Sequence, residues 1–252
     1  MTTAHDRVLP HEADHERAAR RDLAALLAAT PIPQSELADN LSLYLYGKTL
    51  RDVLAMDLLY RQIRGVPGGI FEFGVHRGRH LATFTALRAH YEPYNPHRRI
   101  VGFDTFTGFP DVSGKDTTRS AVPGRFAVAR EYPDHLREVL AVHERLEPLR
   151  HIQRTLVVEG DVRETLPQYL EDNPHTVVAL AYFDLDLYEP TRAALEKVRP
   201  YLTKGSIVAF DELAHAKWPG ETSALRDTLG TDACRLRLLP GHATPAYLIW
   251  EG

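Results

Sequence analysis

The chain has 252 residues, 44% of them hydrophobic and 25% charged, with a formal net charge of −4 and a pI near 6.3. It is long enough for one sizeable core, too acidic for the basic face a nucleic-acid partner asks for, and without any apolar run near the roughly 20 residues of a membrane span. A single cysteine, Cys234, excludes an intramolecular disulfide and a cysteine-built zinc cluster; with a charged N-terminus lacking the apolar core of a signal peptide, it points to a reduced, cytoplasmic setting.

Residues 1 to about 20 are polar and His-rich and read as a frayed or oligomer-contacting arm. RRDLAALLAAT predicts a short helix, and LRDVLAMDLLYRQIRGVPGG an amphipathic one stopped by Gly65, Pro67, Gly68 and Gly69. Strands and helices then alternate. GGIFEFGV, RRIVGFDTF, TLVVEGDV, TVVALAYFDLDLY and GSIVAFDEL read as five strands, and HLATFTALRAHY, DHLREVLAVHERL, ETLPQYLEDN and EPTRAALEKVRPYL as the helices between them. ETSALRDTLG adds a helix, and ACRLRLLPGHATPAYLIWEG closes the chain as two strands around a Pro-Gly turn. The pattern predicts an α/β fold with a Rossmann-like, doubly wound, seven-stranded, mostly parallel sheet, a C-terminal antiparallel hairpin and an N-terminal helical extension. The arm and first helices would occupy 1–65 and the doubly wound domain 66–252. The polar stretch between the second strand and the next helix, about 105–133, is too long for an ordinary connection and is expected to form a lid.

Ligands of such sheets bind beyond the carboxyl ends of the strands, and each predicted parallel strand ends in acid. Glu72 precedes a turn built on Gly74 and Gly78; Asp104 ends the second strand, Glu159 and Asp161 the third, Asp184 and Asp186 the fourth, Asp211 and Glu212 the fifth. Singly, most have plainer readings: Asp161 as a helix cap, Glu189 as an N-cap or first-turn acid beside a helix dipole. The glycine turn has neither the lysine of a phosphate-binding loop nor the full dinucleotide spacing. A nucleoside ligand without pyrophosphate fits better, with one acid on the ribose hydroxyls and one on the adenine amino group, a combination that suggests S-adenosylmethionine. Strand alternation would put Asp184 and Asp186 on one face, beside Asp211 and Glu212. Carboxylates so close call for a hard divalent cation, Mg²⁺ first, unless Arg192, Lys204 or Lys217 pairs with them. Such a cation would acidify an acceptor hydroxyl that a nearby carboxylate then deprotonates; vicinal hydroxyls favour a sugar or a catechol.

FEFGVHRGRH, VGFDTFTGFPD, VVEGDV, YFDLDLYEPT and IVAFDELAHAKWPGE together resemble the macrocin O-methyltransferase family, class I S-adenosylmethionine-dependent sugar O-methyltransferases of antibiotic pathways, and among them the calicheamicin-type deoxysugar (rhamnose) O-methyltransferases. The resemblance runs from about residue 40 to the C-terminus. It implies that Glu72, Gly74 and Gly78 line the methionine end of the donor, Asp104 holds the ribose and Asp161 the adenine. It implies Asp184, Asp211 and Glu212 as metal ligands and Asp186 as general base, with His215 as the other candidate base. The family more often has Asp-Asp where this chain has Asp211-Glu212. Phe106, Phe109, Arg125, Phe126, Tyr132, Trp218 and Glu221 are candidates to meet the acceptor, a sugar or glycosylated small molecule; Arg77 or Arg125 would suit a nucleotide diphosphate. A homo-oligomer is expected. The competing readings are a catechol-type O-methyltransferase and a catalytically silent subunit that binds an adenosine ligand.

Overall fold

A computed structural model describes residues 14–232 and 235–252; most of the predicted N-terminal arm, and Cys234, lie outside the described residues. The chain divides into two compact units, Met1–Leu50 and Arg51–Gly252. The described part of the first carries α1 (Asp14–Ala28), α2 (Gln34–Leu37) and a 3-10 helix at Ala38–Tyr44. α3 (Gly47–Ile63) follows, and Ala55, Met56, Leu59, Tyr60 and Ile63, spaced three to four apart, are its buried apolar stripe.

In the second unit β1 (Gly69–Phe73), α4 (Arg79–Tyr91), β2 (Ile100–Asp104), α5 (Tyr132–Arg145), β3 (Thr155–Glu159), α6 (Val162–Asp172), β4 (Val178–Phe183), α7 (Tyr188–Val198) and β5 (Leu202–Phe210) alternate as the sequence predicts. α8 (Gly220–Thr228), β6 (Arg237–Leu238) and β7 (Ala246–Ile249) complete it. The seven strands form one sheet in the order β3-β2-β1-β4-β5-β7-β6. β1 to β5 pair in parallel and β7 runs antiparallel to both β5 and β6. The order reverses at β1, flanked by β2 on one side and β4 on the other, which sets the ligand crevice above those three strands.

The central strands read as near-continuous apolar runs because helices cover both faces. One face gathers Ile70, Ile100, Leu180, Tyr182 and Ile207 with Met56, Leu59, Leu81 and Phe84; the other gathers Phe71, Val101 and Val208 with Leu166, Leu195 and Leu225. On that second face Phe103, Phe73, Phe183 and Phe210 stand side by side across β2, β1, β4 and β5, in register, with successive ring centroids 5.4, 4.8 and 5.1 Å apart. Such aromatic contacts contribute roughly 0.5–1.5 kcal/mol each beyond burial. The residue after each ring is Gly74, Asp104, Asp184 or Asp211, so the ladder sets these four residues at one level of the sheet.

One expectation needs correction. β4 stops at Phe183, so Asp184 and Asp186 do not share a face by strand alternation; the chain turns at Asp186, which has φ +60°. Glu189 lies in the first turn of α7, as a helix-start acid should, and its carboxylate pairs with Arg192 at 3.2 Å. The N–H of Tyr188, the first residue of that helix, donates to Asp116 Oδ1 at 2.8 Å, from the long insertion. That insertion is a compact loop. Phe109 and Val128 donate backbone N–H bonds to the carbonyls of Arg125 and Phe106, and Gly108, at φ +82°, lies where a Cβ would fall 2.3 Å from the Arg125 carbonyl.

Candidate active site

The sheet brings Glu72, Asp104, Asp184 and Asp211 to one edge. Glu72 is buried, with Oε1 3.5 Å from His80 Nδ1 and Oε2 without a hydrogen bond. Burial, and after it the charge of Asp184, holds its carboxyl well above the ordinary carboxylate range, with Arg79 opposing. A buried acceptor with no donor is costly on its own and fits the ammonium of an amino-acid ligand. Gly74, at φ +91°, lies so close to Asp184 that a Cβ would fall 1.9 Å from its carbonyl oxygen. Gly78, at φ +73°, gives its space to Leu136. Both glycines are thus demanded by packing between protein segments.

Asp104 reaches across to the turn that follows β1. Its Oδ2 accepts the N–H groups of Val75 and His76, both at 2.7 Å, and its Oδ1 accepts that of Phe106 at 2.6 Å. The carboxylate therefore builds the β1–α4 turn as well as standing at the edge, with lone pairs left for further donors. Asp161 caps α6, accepting the N–H of Arg163 at 2.9 Å, and Arg163 Nη2 lies 2.5 Å from its Oδ2. Burial pushes Asp161 up, and the hydrogen bonds from Arg163 outweigh it, leaving the carboxyl below its usual value. Arg163 also reaches Asp111 of the insertion at 3.0 Å, tying that loop to the start of α6.

Asp184 and Asp211 leave neighbouring strands in register: the N–H of Asp184 donates to the Phe73 carbonyl and that of Asp211 to the Phe183 carbonyl. Asp211 Oδ1 accepts the hydroxyl of buried Tyr182 at 2.8 Å. Burial first, then Asp211 and Asp184, raise that phenol well above its ordinary value. Arg79, held by Asp52 at 2.6 Å, supplies positive charge to Asp184 and Asp211; burial lowers its pKa, and these carboxylates more than restore it. Arg192 is engaged with Glu189 and Glu196. His215 Nδ1 faces Glu212 Oε2 at 3.3 Å, without hydrogen-bond alignment. Among the described residues no group of three His, Cys, Asp or Glu side chains is already gathered as a metal cage. In donor type Asp184, Asp211 and Glu212 fit a hard cation, since all supply carboxylate oxygen.

Of the acceptor candidates, Phe109, Phe126 and Trp218 form one aromatic cluster with centroids 5.3–6.3 Å apart, and Arg125 lies over the rings of Phe126 and Trp218. Tyr132 donates its hydroxyl to the Arg77 carbonyl at 3.0 Å. Phe106 is buried in the core, and Glu221, with 0% exposure, cannot meet an acceptor. Asp116 had no sequence signal beyond its place in a polar loop, because its partner, Tyr188, is 72 residues away.

A methyltransferase-domain family model matches residues 71–213. The crystal structure of a calicheamicin methyltransferase is similar at 58% identity and TM-score 0.94, over 99% of this chain and 98% of that one. The apo structure of a TDP-rhamnose 3'-O-methyltransferase of calicheamicin biosynthesis is similar at 56% identity and TM-score 0.85, over 95% of this chain and 96% of that one. An 8-demethyl-8-(2,3-dimethoxy-alpha-L-rhamnosyl)-tetracenomycin-C 4'-O-methyltransferase from Streptomyces olivaceus is 37% identical over 157 residues, 60% of this chain; the match spans about half, 54%, of that relative's length. With its strand order, its strand-end acids and these likenesses in place, the chain belongs to the methyltransferase-domain family and is an S-adenosylmethionine-dependent O-methyltransferase.

Proposed function

We propose that the protein methylates a hydroxyl of a deoxysugar of the rhamnose type, free, nucleotide-linked or already on an aglycone, in natural-product biosynthesis. The observation that carries the reading is the convergence of Glu72, Asp104, Asp184 and Asp211 on one sheet edge, with an aromatic and arginine cluster formed by the two loops that follow β2 and β5. The sugar class follows from the two relatives whose names specify rhamnose or rhamnosyl substrates. Glu72 receives the donor's ammonium, Asp104 its ribose and Asp161 its adenine. Asp186 takes the acceptor's proton as the hydroxyl oxygen bonds to the methyl carbon and the carbon–sulfur bond breaks, leaving S-adenosylhomocysteine. His215, beside Glu212, is the alternative base. Asp184, Asp211 and Glu212 would hold a divalent cation, Mg²⁺ first, which lowers the pKa of an acceptor hydroxyl. Phe109, Phe126 and Trp218 give the sugar an apolar wall, and Arg125 suits a nucleotide diphosphate. Exposed Leu41, Leu43 and Leu45 support a homo-oligomer, which sedimentation would reveal.

Calorimetry with S-adenosylmethionine, then methyl transfer to TDP-rhamnose and to rhamnosylated aglycones, tests the reading. We expect donor binding, sugar methylation, loss of turnover in EDTA and recovery with Mg²⁺. Asp186→Asn is expected to lower kcat by about 10²–10⁴-fold with donor binding intact. Full activity in EDTA would remove the cation, and a fully active Asp186→Asn would move the base to His215.

A further inference from the structure

The first turn of α8 touches both acidic loops at once. Glu221 Oε1 accepts the N–H groups of Leu185 and Asp186 at 3.1 and 3.3 Å, and Oε2 accepts that of Glu212 at 3.0 Å. Gly220 lies against the same loop: a Cβ there would fall 2.4 Å from the Asp186 carbonyl and 2.6 Å from the Tyr188 nitrogen. Thr222 Oγ1 accepts the N–H of Ala214 at 2.8 Å. Asp186 and Ala214 both hold left-handed backbones, φ +60° and +62°. Non-glycine residues keep that conformation only when their surroundings enforce it. One buried carboxylate thus bridges two loops that come from different strands and together carry Asp184, Asp186, Asp211 and Glu212.

We propose that Glu221 is a positioning residue for methyl transfer: its carboxylate locks the Leu185–Asp186 turn to the Glu212 loop and so sets the distance between the proposed base and the acids beside it. It touches neither donor nor acceptor. The inference rests on the methyl-transfer reading and on Asp186 as base. Displacements of about 1 Å in such a constellation cost up to roughly 10²-fold in rate.

The test compares wild type, Glu221→Ala, Glu221→Gln and Asp186→Asn, with active sites counted by S-adenosylhomocysteine calorimetry. Gln keeps one acceptor oxygen and sets an NH₂ against the other N–H, so it should fall between wild type and Ala. Per binding-competent site, kcat should drop about 100-fold in Glu221→Ala and less in Glu221→Gln, with homocysteine-ligand affinity within about twofold of wild type. Amide exchange should accelerate in the segments 184–187 and 211–213 of both variants. A part that merely stabilised the fold would reduce the number of competent sites and leave kcat per site unchanged. That result in Glu221→Gln, alongside an inactive Asp186→Asn, overturns the proposal, as does unaltered exchange in the two segments. An Asp186→Asn variant with wild-type turnover is the separate result that removes the base assignment, and with it the purpose of the clamp.

Discussion

Glu72 and Asp104 stand 32 residues apart in sequence and close together at the sheet edge, with different hydrogen-bond surroundings. Asp104 accepts three backbone N–H groups, whereas Glu72 has a buried oxygen with no donor and a carboxyl held well above its ordinary range by burial and by Asp184. A carboxyl whose folded-state pKa is raised stabilises the fold most at low pH, where both states are protonated. As pH rises from the ordinary carboxylate range the unfolded chain loses its proton first, and stability declines until the folded-state value is passed. Glu72→Gln should therefore raise the melting temperature of the ligand-free, EDTA-treated protein at pH 7–8. The advantage should close as pH falls towards the carboxylate range. The same substitution should weaken S-adenosylmethionine binding by about tenfold or more, since a charge-assisted hydrogen bond is lost. Melting curves across pH together with calorimetry check both halves. A variant that melts earlier at neutral pH would show that Glu72 is already satisfied without the donor.

At the level of elements, the start of α7 shows what the sequence did and did not make legible. Asp116 is buried and accepts the Tyr188 N–H as well as the N–H and hydroxyl of Ser113, while Lys115 lies 3.9 Å from the Tyr188 ring. One turn of the insertion is thereby fastened to the helix that follows the acidic loop. Asp116→Ala should cost about 1 kcal/mol, as loss of a helix cap does, and should speed tryptic cleavage at Lys115 and Arg119. Glu189→Ala, which removes a half-exposed pair with Arg192, should change stability by less than about 1 kcal/mol. Urea titration and timed proteolysis separate the two; equal effects would show that Asp116 does not cap α7. The alternation of strands and helices was readable because apolar periodicity is local, and so was the edge: a Phe directly before Asp104, Asp184 and Asp211 marks three strand ends. The contacts from Asp116 to α7, from Glu221 to two loops and from Asp104 to the first glycine turn were not. Each joins residues brought together by the sheet order, and a turn at φ +60° carried by an aspartate breaks the alternation on which a face assignment depends.

Across the whole second unit, charge is sorted to opposite ends of the strands. At their carboxyl ends Asp104, Asp184 and Asp211 are partly exposed and, with buried Glu72, are acids without a matching set of buried cations among the described residues. Near their amino ends the charges are buried and paired. Arg88, with 0% exposure, meets Glu147 at 2.7 Å and Glu144 at 3.4 Å, and Arg154 meets Glu147 at 2.6 Å. Arg98 meets Glu92 at 2.7 Å and donates to the carbonyls of Ile63 and Val66. Glu144 also accepts the N–H groups of Arg154 and Thr155, where β3 begins. Removing one member strands its partners without water, at a cost of about 3–5 kcal/mol. Arg88→Met should therefore lower the urea midpoint sharply. Because the parallel strands separate this cluster from the crevice, kcat and KM of the folded protein at low temperature should stay within about twofold of wild type. That separation makes the measurement diagnostic. A matching loss of kcat in still-folded Arg88→Met would show instead that the buried pairs hold the acidic edge in place through the strands.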